Sequence, residues 1–438
     1  MYKNQICDVY YVLDMKKTYE YRIYPTDEQK ELLSKHFGHC RWMYNYALSR
    51  KITHYKDKHK TLSRYDIQAE IPVLKKQEST RWLKEVNSQS LQAVLIHLDT
   101  AYNKFFTKSG GFPKFKNRKS KQSFEIPTKL KVDFDTSYIE IPKFKTPIRT
   151  VFHRRFEGEI RTCHIKCNRA GNYFVTILVD DGKELPLKPD IQKETAVGID
   201  VGIKSFLVTS EGEEINNPRY FIKSEKKLAK LNRSFSRKIR AKKKGESLSK
   251  NAEKAKKKLA MLHEHIANQR KDFLHKVSTQ LIRENQTICI EDLNVKGMMR
   301  NRNLSKHIGD AGWGMFFQFL RYKSEWYGTN LLTIGRFDPS SKTCSKCGYI
   351  NHELKLSDRT WTCPNCGESH DRDVNAAINI RDFSFVNVNT ESNRNTRKYK
   401  PVRYGNSAES STGRASVRTL ESSELLTQSS FTTSYHAK

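Results

Sequence analysis

Four cysteines in two pairs constrain this chain more than any other feature. Cys344-x-x-Cys347 and Cys363-x-x-Cys366 are separated by 15 residues, and a glycine follows each pair, in "CSKCG" and "CPNCG". Two short knuckles, each turned by a glycine, can present four thiolates to one tetrahedral ion, so the spacing predicts structural Zn2+. The other five cysteines (Cys7, Cys40, Cys163, Cys167 and Cys289) lie mostly in apolar or strand-like stretches. They read as buried thiols and not as a disulfide framework, which implies a reducing, cytoplasmic compartment. "CHIKC" (163–167) is not read as a second metal site, because neighbours in a strand point to opposite faces and both thiols are expected in the core.

The segments around the cysteine pairs alternate in character. "TYEYRIYP" (18–25) reads as a strand ended by proline, and Thr26 with Gln29 fits a capping box for the helix that follows. Helical spacing continues to about Phe106, where "SGGFPKFKNRKSKQSFEIP" breaks it with glycines, prolines and a basic run. Short alternating strands separated by turn residues fill 123–187, the pattern of a small barrel. "AVGIDVG" (196–202) is a short buried strand with "SFLVTSEGEEI" as its hairpin partner, and "TICIEDLNV" (287–295) and "NLLTIGRF" (330–337) are further strands. The last 57 residues hold 18 Ser or Thr and few apolar residues, so 382–438 is expected to be a disordered tail.

The chain carries 80 Lys or Arg against 48 Asp or Glu, a net charge of +32. Such a surplus calls for a polyanionic partner, since neutralising phosphates releases condensed counterions. The excess is concentrated: residues 221–260 hold 16 Lys or Arg against 3 Glu, on a helical pattern interrupted near Gly245. That stretch reads as a phosphate-facing surface over an ordinary apolar stripe. No run of about 18 apolar residues is present, and the first residues lack a basic flank with a small-residue cleavage site, so neither a membrane span nor a secretory signal is expected.

Against this basic background, three carboxylates stand at the ends of elements. Asp200 closes "AVGID", Glu291 closes "TICIE", and Asp373 opens the helix-like "DVNAAINI". A strand-end Asp, a strand-end Glu and an Asp on a later helix form the pattern of RNase H-like nucleases, in which divalent ions about 3.5–4 Å apart sit between carboxylates. Hard oxygen ligands suit Mg2+ or Mn2+. Asp292 and Asp371 are the rival positions, and helix phase places Asp371 about 200° round from Asp373.

At this point the chain resembles the TnpB family, the RNA-guided nucleases of bacterial and archaeal insertion sequences, similar to type V CRISPR effectors. The resemblance rests on "YRIYPTDEQKELLSKHFGHCRWMYNYAL", "GGFPKFKNRKSKQSF", "GIDVG", "IEDLNVKGM", "SKTCSKCG", "CPNCG" and "RDVNAAINI", in order over residues 16–381. It implies an α/β multidomain fold: a wedge-like β-barrel (15–26 and 111–190), an inserted helical recognition lobe (27–110), and an RNase H-like (RuvC) nuclease domain (191–381) carrying a zinc ribbon at 340–370. Residues 1–14 are then an N-terminal extension, because "MKKTYEYRIYP" from Met15 resembles the family's start. The resemblance further implies that Asp200, Glu291 and Asp373 are the catalytic, magnesium-binding carboxylates, since the family's third Asp stands two residues before the Asn of "NAA". Guide RNA from the flanking element end and double-stranded target DNA beside a short flanking motif are the implied partners, with no membrane. Arg41, Trp42, Tyr44 and Tyr46 of the first lobe are candidates to face nucleic acid, though burial in the core is the commoner fate of such aromatics. The alternatives are a nuclease-inactive RNA-guided repressor, a transposition-accessory nucleic-acid-binding protein, and a DNA-joining transposase. The intact triad argues against the first. The last needs a paired-histidine metal motif, and His263 and His265 sit on a lysine-rich helix about 200° apart.

Overall fold

A computed structural model describes residues 14–127, 130–240, 246–355 and 357–393. Its first half begins with strand β1 (Asp14–Tyr24), followed by helices α1 (Asp27–Lys58) and α2 (Arg64–Lys76), a 3-10 turn (Glu78–Glu85) and α3 (Ser88–Phe106). The capping box forms as expected: Thr26 Oγ1 accepts from Gln29 N, and Gln29 Oε1 accepts from Thr26 N at 2.9 Å. Strands β2 (Gln122–Ile126), β3 (Lys131–Asp133), β4 (Tyr138–Glu140), β5 (Ile148–Val151), β6 (Glu159–Cys167) and β7 (Tyr173–Glu184) then join β1 in one antiparallel sheet. Its order is β2-β6-β7-β1-β5-β4-β3, so the long β1 lies at the centre although the three helices separate it in sequence from its partners. Among the described residues no pairing joins β2 to β3, which makes this a curled sheet and not the closed barrel expected from the strand pattern. Helices and sheet share one core, in which Leu33, Phe37, Met43 and Leu95 meet Tyr21, Phe124, Ile165 and Ile177.

The candidate interface aromatics of α1 belong mainly to that core. Tyr44 is buried, Trp42 stacks on Tyr46 with centroids 5.1 Å apart, and the Tyr46 hydroxyl donates to Glu70 at 2.6 Å. Cys163 is fully buried and Cys167 packs against the same core, while His164 faces the other way.

His36 in this core sets an acid limit. Its Nδ1 lies 2.8 Å from Leu32 O and its Nε2 accepts from Asn87 N at 3.3 Å, a neutral tautomer with both nitrogens used. Burial pulls its pKa down to about 4. A depressed histidine contributes stability that is complete above its unfolded pKa of 6.5 and is lost as pH falls towards 4. Between pH 8 and pH 5 this one group should cost about 2 kcal/mol, and thermal melts of His36→Gln should show a correspondingly shallower acid slope than the wild type.

The second half is built on a mixed five-stranded sheet. Strands β8 (Ala196–Val201), β9 (Ser205–Thr209) and β10 (Glu214–Asn216) form an antiparallel meander, followed by helices α4 (Tyr220–Ile239) and α5 (Lys250–Glu284). β11 (Thr287–Glu291) returns parallel to β8; after α6 (Val295–Met298), α7 (Ser305–Ala311) and α8 (Trp313–Tyr327), β12 (Asn330–Ile334) pairs parallel to β11. The hairpin β13 (Thr360–Thr362) and β14 (Ser369–Asp371) leads into α9 (Arg372–Asn393). The sheet order is β10-β9-β8-β11-β12. Both faces are covered, which is why its central strands read as continuous apolar runs. Val197, Ile199, Ile288 and Ile290 pack towards Leu274, Leu281, Phe316 and Leu320 of α5 and α8. Ala196, Cys289 and Ile334 on the opposite face pack against Ile380 of α9.

The described part of the basic stretch lies on α4 and α5, which pack through Leu228, Leu262 and Ile266, and its described lysines and arginines are exposed. The start of α4 has no local side-chain cap; instead buried Asp310 of α7 accepts from Phe221 N at 2.8 Å and Ile222 N at 3.1 Å. His263 and His265 are exposed as expected, whereas Glu264 between them accepts hydrogen bonds from Asn168 and Asn172 of the first half. Helix α9 runs past Arg381, where the tail was expected to begin; 1–13 and 394–438 lie outside the described residues. No described helix is long and apolar enough to cross a membrane.

Candidate active site and metal centre

Parallel pairing of β8 with β11 matches Cys289 to Gly198, and two residues further along each strand stand Glu291 and Asp200. Because side chains alternate, Gly198, Asp200, Cys289 and Glu291 share the face covered by α9. The first turn of α9 carries Asp373, so the three carboxylates come from two adjacent strand ends and one helix start. All three are half-buried. Burial raises the Asp200 pKa well above the usual carboxylate range, and the neighbouring Glu291 and Asp373 charges raise it further, against opposition from Arg372 and Arg359. Burial also raises Glu291, offset in part by the Ser340 hydroxyl, which donates to Glu291 Oε1 at 2.7 Å. A cluster of mutually repelling carboxylates in a basic protein is a place that a cation would stabilise.

The rival positions do other work. Asp292 is exposed and ion-paired with Arg336 at 2.6 Å. Asp371 Oδ1 accepts from Asp373 N and Val374 N at 2.9 and 3.0 Å, which makes it the cap of α9.

Gly198 explains how α9 comes so near. A Cβ there would lie 1.9 Å from Ala377 O and 2.8 Å from Arg381 N, both backbone atoms of the helix. Gly198→Ala must therefore push α9, and Asp373 with it, away from the strand ends. We expect a stability loss of about 2–3 kcal/mol in thermal melts, together with loss of any activity that needs Asp373 beside Asp200. An unperturbed melt would show that the helix can give way.

The four thiols of Cys344, Cys347, Cys363 and Cys366 converge within 4.8 Å of one another, the one group among the described residues that does so. Four soft sulfurs gathered this closely suit Zn2+. His370 Nε2 lies 3.0 Å from Cys344 Sγ, and Leu354 and Trp361 pack beside Cys344 and Cys363 as a small local core. The three carboxylates are spread more widely than the thiols, and Asp373 is turned to Arg359 Nη1 at 3.2 Å.

Ribbon and acidic site are tied through α9. Asn375 Nδ2 donates to Thr343 O at 2.7 Å and its Oδ1 accepts from Ser345 N at 2.9 Å. Asn379, one turn on, donates to Ser340 O and Thr343 O at 2.7 and 2.6 Å. Ser340 thus touches both Glu291 and Asn379. Ser340, Arg359, His370 and the two asparagines were not singled out from the sequence. Only the asparagines left a signal there, as two polar residues one turn apart on the apolar face of "NAAIN".

Comparison with known proteins covers the same ground. Residues 175–302 match a family model described as "Probable transposase", 313–380 one described as "Cas12f1-like, TNB domain", and 15–60 one described as "Helix-turn-helix domain". In the structure that last segment is a strand and one uninterrupted helix of 32 residues. A Streptomyces pristinaespiralis protein named "Putative RNA-guided DNA endonuclease" is 39% identical over 368 residues, 84% of this chain and 89% of the relative. The Escherichia coli K12 protein "Putative RNA-guided DNA endonuclease InsQ" is 31% identical over 83% of this chain and 91% of its own length. Among solved structures, a Cas12f1–sgRNA–target DNA complex aligns with TM-score 0.51 at 14% identity, over 84% of this chain and 99% of that one.

Proposed function

This chain belongs to the TnpB family, and from that premise we propose that it is an RNA-guided, RuvC-type DNA endonuclease that hydrolyses phosphodiester bonds at a divalent-metal carboxylate centre. The observation that carries the reading is geometric: Asp200 and Glu291 end adjacent parallel strands on the sheet face covered by α9, whose first turn holds Asp373. The strand order, a three-strand meander followed by two parallel strands, is the arrangement an RNase H-like domain would have, with 191–381 as that domain and the ribbon at 340–370 inserted in it. The curled sheet of 15–26 and 111–190 then serves as the wedge, with the helices of 27–110 as the recognition lobe.

Asp200, Glu291 and Asp373 would hold Mg2+ or Mn2+, and their hard oxygen donors fit these ions. When bound, such ions supply an activated hydroxide and neutralise charge on the phosphate oxygens. The chain's own residues arrange the ligands. Ser340 fixes the Glu291 carboxylate by its hydrogen bond, Asp371 starts α9 so that Asp373 falls in its first turn, and Arg359 balances Asp373. The exposed cations of α4 and α5 would supply a phosphate-facing surface. Sequence would be read by pairing with a guide RNA from the element's end, and the protein would read duplex shape and a short flanking motif.

The test is to co-express the protein with RNA from its own flanking region and supply Mg2+ with plasmids carrying a guide-matched target beside randomised flanks. Cleavage of matched targets alone is expected, and the flanks of the cleaved plasmids define the motif. Matched DNA that is bound and left uncut would replace this reading with that of an RNA-guided repressor.

A further inference from the structure

The segment 101–121 holds seven Lys or Arg, five Phe or Tyr and no Asp or Glu. Its aromatic residues are not buried. Phe106 is 67% exposed, Phe115 57%, Phe112 46% and Phe105 38%, in a chain whose other large apolar side chains mostly pack inside. The rings form a cluster: Phe105 meets Phe106 at 5.4 Å and Phe112 edge-on at 5.3 Å, and Tyr102 lies 6.1 Å from Phe106 and 5.7 Å from Phe112.

The backbone holds this cluster in place. Lys104 O accepts from both Ser109 N and Gly110 N at 2.9 Å, and Lys108 takes a left-handed φ of 54°, so the chain folds back over the end of α3. Further on, Asn45 of α1 clamps Lys116 through both its backbone groups at 2.8 Å, and the Lys116 ammonium sits 3.8 Å from the Tyr44 ring centroid. Phe112 and Phe115 are therefore presented on a pinned segment, flanked by exposed Lys104, Lys108 and Lys114. Water-exposed rings fixed in place among cations, with no acid between them, have the composition of a surface for bases stacked along a phosphate backbone.

We infer that the end of α3 and the loop behind it, centred on Phe106, Phe112 and Phe115, form a stacking platform for unpaired nucleotides. This goes beyond guided cleavage and does not depend on it. The acidic site does not include these residues, and the platform recognises unpaired bases by their faces, whatever the sequence. Guide RNA and a displaced DNA strand offer the same chemistry, so both are probed.

The experiment uses the full zinc-loaded chain with short uracil RNA and thymine DNA strands that carry a 2-aminopurine. The double variant Phe106→Ala, Phe115→Ala should weaken single-strand binding about tenfold or more and abolish the change in 2-aminopurine fluorescence. It removes no charge, so the salt dependence of binding should keep its slope, whereas Lys104→Gln with Lys114→Gln should flatten that slope. Phe106→Trp with Phe115→Trp should restore binding, and unchanged melting would show that every variant folds. Stronger loss with RNA or with DNA identifies the strand. Affinity unchanged in the alanine variant overturns the platform. So does a self-association of the wild type that the alanine variant abolishes, or loss of binding to phosphatidylserine vesicles with oligonucleotide binding intact. A chain that fails guided cleavage but keeps ring-dependent binding refutes the proposed activity alone, and the converse refutes the platform alone.

Discussion

Asp200→Ala is expected to lower guide-directed cleavage by at least about a thousandfold, equivalent to about 4 kcal/mol of lost transition-state stabilisation, while leaving binding of RNA and matched DNA within about twofold. The asymmetry follows from position. Asp200 stands at a strand end beside Glu291 and faces the start of α9, whereas the basic surfaces available to phosphates lie on α4, α5 and the loop after α3. The same substitution should stabilise the metal-free protein. A carboxyl whose folded pKa is raised lends its full stability only at low pH, and that contribution is lost as pH rises through the folded pKa. In EDTA, then, the variant should melt above the wild type at pH 7.5 and lose that advantage near pH 4, and Mg2+ should raise the melting temperature of the wild type alone. Asp371→Ala provides the contrast: it removes a helix cap worth about 1 kcal/mol and should leave cleavage within about tenfold. If Asp371→Ala abolished cleavage and Asp200→Ala did not, the assignment of the acidic site would fail.

What the sequence made legible was local. The capping box at Thr26 and Gln29, the strand ends at Asp200 and Glu291 and the paired cysteines each lie within a few neighbouring residues, and each shows in spacing and residue type. Long-range partners leave no such trace. Ser340 and Glu291 are 49 residues apart, and only the folded sheet brings them together. Gly198 reads from sequence only as part of a short buried strand, yet its missing side chain serves to admit the backbone of α9. The end of that helix is hidden in the sequence because the composition of 382–438 as a whole is rich in Ser and Thr and poor in apolar residues. Phe383 and Phe385 pack against the buried cluster of Cys289 and Ile334, and tertiary burial overrides the local pattern. The expected barrel is an open curl for a related reason: alternation predicts that strands pair, and only register and edge contacts decide whether the last meets the first.

Cys344→Ser should also disable cleavage, although none of the four clustered thiols is one of the carboxylates. Zinc sites of this kind contribute about 10–16 kcal/mol of apparent binding free energy, comparable to or larger than the 5–15 kcal/mol that holds a whole domain. Among the described residues, the ribbon's own core is little more than Leu354, Trp361 and the sulfurs, so an ion held by the thiols would be a main part of what it folds around. Its unfolding would travel by a short route. Thr343 and Ser345 flank Cys344 and receive Asn375, and Ser340 joins Asn379 to Glu291. With those anchors loose, the first turn of α9 no longer holds Asp373 against the strand ends, and Arg359, which pairs with it, leaves with the ribbon. The expected result is loss of one zinc per chain, new proteolysis within 340–370, and cleavage reduced about a hundredfold or more with Mg2+ in excess, a loss set by misplacement of about 1 Å at the reacting groups. The two halves of the chain should otherwise melt as before, since among the described residues the cores of the curled sheet and of α5 and α8 contain no residue of 340–370. Full cleavage by a zinc-free Cys344→Ser protein would show that α9 is positioned by Gly198 and the sheet alone, and that the ribbon serves something other than the acidic site.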